Sequence, residues 1–184
     1  MTGPWPGVVR PARDDDLPAC QEIERAAGRL FAQLGMTLVA EDDPPSLADL
    51  RAYRRDGRAW VRTDGEDRPV AYLVADVVDG CAHLEQVTVD PGAARRGLGR
   101  ELVEHLVTWA RYRHLPAVTL TTFTEVPWNG PYYERLGFCF LDAAELPPGL
   151  RRIRESEAAH GLDTWPRAAM RLDLAGVGDA ALTR

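Results

Sequence analysis

The chain switches its hydrophobic period once, and that switch restricts the possible folds more than any other feature. Residues 59–63, 69–78 and 82–89 are rich in Val, Ala, Tyr and Thr, and the dipeptides Asp64-Gly65 and Asp79-Gly80 separate them. Asp-Gly supplies the positive backbone angles that tight hairpin turns demand, so the three segments predict an antiparallel meander. The stretch Val87-Thr88-Val89-Asp90-Pro91-Gly92-Ala93-Ala94-Arg95-Arg96-Gly97-Leu98-Gly99 then ends the strand pattern. Over 98–113 the apolar positions are Leu98, Leu102, Val103, Leu106, Val107 and Ala110, while Arg100, Glu101, Glu104 and Arg111 point outward. That is a helix with one buried face. A strand at 117–122, entered after Pro116, makes the passage a β-α-β crossover.

The flanks extend this into one α/β domain. A short strand is predicted at 7–11, and Asp14 or Asp15 can cap a helix carrying Leu17, Cys20, Ile23 and Ala27 on one face. A loop with Gly35 and Pro44-Pro45 precedes a second helix, opened by Ser46 and stopped by Gly57, with Leu47, Leu50 and Tyr53 or Arg54 at helical spacing. Downstream follow a short helix at 131–136, a strand at 138–141, a helix at 150–160 and a strand at 168–174. The expectation is a single domain over 1–184 with its core at about 7–175.

Composition removes several classes of function. No apolar run approaches the ~20 residues of a membrane helix, and the opening MTGPWPGVVRPARDDD lacks a signal peptide's apolar centre, so a cytoplasmic protein without membrane partners is expected. Cys20, Cys81 and Cys139 have neither metal nor disulfide spacing and read as buried free thiols; no metal is expected. The net charge of −6 argues against nucleic acid as a partner. All basic side chains are arginines, which excludes a Gly-Lys-Ser/Thr phosphate loop and Schiff-base lysine chemistry. His105, His114 and His160 read as surface or cap residues. Trp60, Trp109, Trp128 and Trp165 read mostly as core, with Trp128 a possible wall for an acceptor pocket.

The turn before the helix at 98 has the chemistry of an anion cradle. A helix N-terminus presents unpaired N–H groups and a positive dipole end; Gly97 and Gly99 permit close approach, and Arg95, Arg96 and Arg100 add charge. A dinucleotide fingerprint fails here on three counts. Leu102 replaces its third glycine, the next strand ends Leu120-Thr121-Thr122 without an acid, and an antiparallel meander leads into the turn.

A second element lies one helix and one strand downstream: Tyr132-Tyr133-Glu134-Arg135-Leu136-Gly137-Phe138. Together with Ala94-Arg95-Arg96-Gly97-Leu98-Gly99, in this order and context, it resembles the GNAT superfamily of acetyl-coenzyme A-dependent N-acetyltransferases. Ala94 stands where that family's turn usually has Gln or Arg, and the asparagine often found two helical turns before the tyrosine is missing. Asn129 is nearer, four residues ahead of Tyr133. The resemblance implies a mixed, mostly antiparallel sheet of about seven strands, helices on both faces, and a splay between the fourth and fifth strands. It implies acetyl-coenzyme A as co-substrate, its pantetheine arm along Val87, Thr88 and Val89. Its diphosphate would lie on Arg95, Arg96, Gly97, Leu98, Gly99 and Arg100, with Asn129 as a further contact.

The resemblance also implies the chemistry. Tyr133 matches the tyrosine that protonates the leaving thiolate, and a backbone N–H at Val87 or Val89 would polarise the carbonyl. The base is open among Glu85, His83, two residues away on the same strand, and a water relay; Glu85 is preferred. The expected reaction is acetyl transfer to a primary amine by direct attack in a ternary complex, the acceptor being a small molecule. A protein N-terminal or lysine acetyltransferase is the alternative, and a non-catalytic acyl-coenzyme A sensor a second one. The chain would act as a monomer or homodimer.

Overall fold

The computed structural model describes residues 6–174, so the first five residues of the N-terminal stretch and the tail after Leu174 lie outside it. The elements run β1 (Val9–Pro11), α1 (Leu17–Ala32), α2 (Thr37–Ala40), α3 (Leu47–Arg55), β2 (Ala59–Thr63), β3 (Pro69–Val78) and β4 (Cys81–Val89). They continue α4 (Leu98–Tyr112), β5 (Ala117–Phe123), α5 (Gly130–Arg135), β6 (Cys139–Phe140), α6 (Pro148–Ala159) and β7 (Arg167–Asp173). The strands form a seven-stranded mixed sheet in the order β1-β2-β3-β4-β5-β7-β6. The β4–β5 pairing is parallel and consists of Ala82 with Val118 and His83 with Thr119; β1–β2, β2–β3, β5–β7 and β6–β7 are antiparallel. The expected α/β architecture is present, with its splay after that short parallel pairing.

Two compact units share these elements. The first contains the described residues through Asp76 together with Leu84–His105; the second contains Val77–His83 and the described residues from Leu106 onward. In the first unit, successive side chains of β2 go to opposite faces of the strand, as the period of two requires. Ala59 and Val61 join Leu17, Cys20, Ile23, Leu50, Tyr72 and Val74 in a core under α1 and α3. Trp60 and Arg62 take the other face, where Trp60 meets His105 edge-to-face at 5.5 Å and Arg62, itself 3% exposed, pairs with Glu101 of α4. Ser46 caps α3 by accepting from the Asp49 N–H, as its sequence position suggests.

In the second unit Leu146, Leu150 and Ala169 form a smaller core with Val78, Leu141 and Ile153. Asp79, in the β3–β4 turn with φ of 50°, accepts from the Gly149 and Leu150 N–H groups at 2.8 and 2.9 Å, capping α6 from a distance of seventy residues. A Cβ at Gly149 would sit 2.7 Å from that carboxylate, so glycine is required there. Thr121 of β5, Glu157 and Arg154 of α6, and Arg167 of β7 form one largely buried polar cluster.

Three readings change. The loop after α1 contains the four-residue α2, too short to leave a periodic signature. Cys20 and Cys81 are buried free thiols as expected, but Cys139 is exposed because β6 lies at the sheet edge. Burial, followed by the charge of Asp16, pushes the Cys20 thiol up to about 12, which makes it unreactive. Trp128 is 42% exposed rather than buried.

The Glu157 cluster gives the second unit a pH dependence. Burial pushes the Glu157 carboxyl up, but Arg167, the Thr121 hydroxyl and Arg154 more than reverse this, so it titrates below the ordinary carboxylate range. A depressed folded-state value contributes stability above the unfolded value of about 4.3 and loses it as pH falls through the folded value. Urea unfolding at a series of pH values should therefore show Glu157→Gln less stable by about 3 kcal/mol near neutrality, with a shallower acid limb than wild type.

Candidate active site

The two edges of β4 are distinguished by hydrogen bonding. The Asp90 N–H donates to the Val70 carbonyl at 2.9 Å, so at this point the chain pairs with β3. Successive N–H groups along a strand alternate between its edges. The N–H groups of Val89 and Val87 therefore point to the edge opposite β3, where an added extended ligand would find them.

After β4 the chain turns through residues 90–97. Asp90 accepts from the Gly92 N–H at 2.7 Å and its carbonyl from the Ala93 N–H, a side-chain-closed turn that follows from the Asp-Pro-Gly sequence. Two residues then take left-handed backbone angles, Arg95 (φ 60°) and Gly97 (φ 82°). The space around Gly97 is open, with nothing within 4 Å of where a Cβ would be; conformation alone demands glycine there. The first α4 backbone bond runs from Glu101 N–H to the Gly97 carbonyl at 3.0 Å, which puts the Leu98 and Gly99 N–H groups ahead of the helical ladder. Leu98 is buried and anchors the turn, while Arg95, Arg96 and Arg100 are exposed around it; Arg100 also reaches Glu104 at 2.7 Å. Helix-end N–H groups, a left-handed glycine and exposed arginines give this turn a chemistry that favours an anion.

Glu85 also belongs to the first unit and is exposed. Burial, then the negative charges of Glu85 and Asp76, hold the Tyr53 phenol of α3 well above its ordinary value. Glu85 thus lies within electrostatic reach of the α3 face. Sequence reasoning missed a neighbouring group: Glu24 of α1, which accepts from Tyr72, Gln86 and Thr88. Its signal was an acid four residues after Cys20, inside the apolar stripe of the first helix.

The second unit holds the other expected residues. Tyr133 is 7% exposed and packs edge-on against Tyr132 and Phe138, with centroids 5.4 and 5.7 Å away. Burial, with Tyr132 beside it, pushes its phenol well above the ordinary value, so it stays a neutral hydroxyl able to donate a hydrogen bond, while the same shift weakens it as a proton donor. Gly130 lets α5 start tightly against β5: a Cβ there would lie 2.8 Å from the Thr124 carbonyl oxygen. Asn129 occupies the cap position, but its side chain turns away. Its Nδ2 donates to Thr122 Oγ1 at 3.0 Å, and its Oδ1 is buried without a hydrogen-bond partner.

His83 differs sharply from Glu85 despite their spacing. It is 1% exposed, and its Nδ1 lies 3.0 Å from Thr119 Oγ1 across the parallel pairing. Among the remaining histidines, His105 stacks on Trp60, His114 takes a left-handed angle where α4 ends, and His160 contacts the Ser156 carbonyl through Nδ1. No group of acids, cysteines and histidines among the described residues is arranged to hold a metal, and no described helix is long and apolar enough to cross a membrane.

Comparison with known proteins shows the family and the fold. One curated relative, the alanine N-acetyltransferase of ribosomal protein bS18 from Salmonella typhimurium, is 35% identical over 78 residues, 42% of this chain and 53% of that protein. Another, the peptidyl-lysine N-acetyltransferase YjaB of Escherichia coli, is 27% identical over 101 residues, 54% of this chain and 63% of that protein. The chain thus spans a little over half the length of these relatives. Among solved structures, the ribosomal-protein alanine N-acetyltransferase of Escherichia coli superposes with a TM-score of 0.65 at 21% identity, covering 96% of this chain and 99% of that one. The PaiA N-acetyltransferase of Thermoplasma acidophilum, crystallised with coenzyme A, gives 0.67 at 11% identity over 91% and 98% of the two chains. At such identities the likeness is one of fold. Residues 19–138, nearly two-thirds of the chain, match the model of the acetyltransferase (GNAT) family, and the protein belongs to that family.

Proposed function

We propose that the protein is an N-acetyltransferase that moves an acetyl group from acetyl-coenzyme A to a primary amine by direct attack, the whole chain serving as one acetyltransferase domain. The observation that carries this reading is the path from a strand edge with outward N–H groups at Val87 and Val89 into the left-handed turn at Arg95 and Gly97. A pantetheine arm pairs with such an edge as an extra strand, and its diphosphate is met by the turn's amides and by Arg95, Arg96 and Arg100.

Chemically, the amine nitrogen attacks the thioester carbonyl carbon, the C–N bond forms, and the C–S bond breaks. A β4 N–H stabilises charge on the carbonyl oxygen. Exposed Glu85 takes the proton the amine sheds, directly or through water, while the neutral Tyr133 hydroxyl hydrogen-bonds the departing sulfur and passes it a proton as the C–S bond breaks. The enclosed position of His83 leaves Glu85 the better base.

Of the acceptors the sequence left open, the names of the relatives fit the alternative, a protein amine. A small amine suited the acidic balance of the chain, whereas the relatives are named for a protein N-terminal alanine and for peptidyl lysine. Peptide amines therefore join small amines as acceptors to be assayed.

Thiol release from acetyl-coenzyme A, followed over alanine-starting peptides, lysine peptides and polyamines, tests the activity. Tight cofactor binding with no turnover on any of them would convert the reading to an acyl-coenzyme A sensor. On an acceptor that is turned over, Tyr133→Phe should lower kcat by roughly 10- to 100-fold, and Glu85→Gln should lower kcat/KM and remove the acidic limb of its pH profile.

A further inference from the structure

The least explained polar group in the first unit is Glu24. It projects from the buried stripe of α1, next to Cys20 and Ile23, and reaches strands β3 and β4. Its Oε2 accepts from the Tyr72 hydroxyl at 2.7 Å and from Thr88 Oγ1 at 2.6 Å, and its Oε1 accepts from Gln86 Nε2 at 2.9 Å. Gln86 Nε2 also donates to Thr88 Oγ1 at 2.8 Å, which closes the cluster. Most partly buried carboxylates of this chain are matched by arginine: Asp16 by Arg10, Asp76 by Arg58, Glu157 by Arg154 and Arg167. Glu24 is instead held by neutral donors, and two of them come from the strand assigned to the cofactor. Three hydrogen bonds to one carboxylate offset its desolvation and fix its position closely.

Gln86 and Thr88 are two residues apart, so their side chains leave β4 on one face and the Val87 peptide lies between them. Both ends of that short segment are tied to a single carboxylate on a packed helix. The Val87 N–H points to the edge opposite β3, where sheet pairing with β3 does not hold it. We propose that Glu24 is a positioning residue. By clamping Gln86 and Thr88 it sets the direction of the Val87 N–H, and thereby the polarisation of the bound thioester carbonyl. The inference rests on the acetyl-coenzyme A reading above and adds to it a residue outside the strand, the turn and the tyrosine. A donor placed for a developing oxyanion is sensitive to displacements well under an ångström, so its supports matter as much as the donor itself.

The experiment uses acetyl-coenzyme A labelled with ¹³C at the thioester carbonyl and needs no acceptor. On binding to wild-type protein, the carbonyl resonance should move downfield as the β4 donor polarises it. In Glu24→Met, which keeps chain length but accepts no hydrogen bond from Tyr72, Gln86 or Thr88, most of that displacement should be lost while calorimetric affinity stays within about threefold. Glu24→Gln retains an acceptor for the two hydroxyls and should restore part of it. Gln86→Met, which removes only the Oε1 contact, should give an intermediate loss and decides the matter if Glu24→Met does not fold. A full wild-type displacement in folded Glu24→Met, or in Gln86→Met where Glu24→Met does not fold, overturns the clamp and leaves the cofactor reading intact. Binding by wild type with no displacement removes the polarising donor and with it the clamp, whereas failure of wild type to bind acetyl-coenzyme A removes the cofactor reading.

Discussion

A parallel pairing two residue pairs long, Ala82 with Val118 and His83 with Thr119, governs this molecule. A sheet normally satisfies both edges of an interior strand, and β4 continues for six residues beyond His83. The remaining edge of that strand is what a pantetheine arm can use. The buried His83–Thr119 contact seals the point at which the pairing stops. The same histidine that suggested a base is therefore better suited to a structural role.

A strand without a complete partner needs other supports, and side chains supply them. The Asp90 N–H ties the end of β4 to Val70, the Asp90 side chain closes the following turn, and Glu24 holds the face between them. Beyond the turn, Leu98 is buried as the first residue of α4, and Arg62 reaches Glu101 one turn later. Main-chain donors are thus presented by a backbone fixed on one face, while the arginines around it remain exposed. Electrostatics across the chain follow from having arginine alone as the cation. Its planar fork bridges two carboxylates or a carboxylate and a carbonyl, as Arg10 and Arg154 do, and builds clusters rather than isolated pairs.

Much of this was legible in the chain. The meander segments expected at 59–63 and 69–78 coincide with β2 and β3, and the helix expected at 98–113 ends one residue earlier. Those elements are long, periodic and bounded by turn dipeptides, so local patterning and tertiary packing agree. Short elements were less legible: α2 has four residues and no capping side chain, and β6 has two residues at an edge. The candidate cofactor residues are contiguous, and a strand-turn-helix brings them together by itself. Glu24 could not be found in this way, because its partners lie 48, 62 and 64 residues away and nothing in local spacing reports them.

By itself the sequence determined the strand-to-helix turn, with its glycine at the left-handed position and its arginines, because backbone angles and helix-end polarity are local properties. It also determined the family, because two short motifs separated by one helix and one strand leave little freedom of topology. Only the tertiary structure decided which groups are charged, protonated or satisfied. Burial keeps Tyr133 a phenol, encloses His83 while leaving Glu85 in water, orphans Asn129 Oδ1 and surrounds Glu24 with neutral donors. Those properties depend on desolvation and on contacts between residues distant in the chain, which no local pattern encodes.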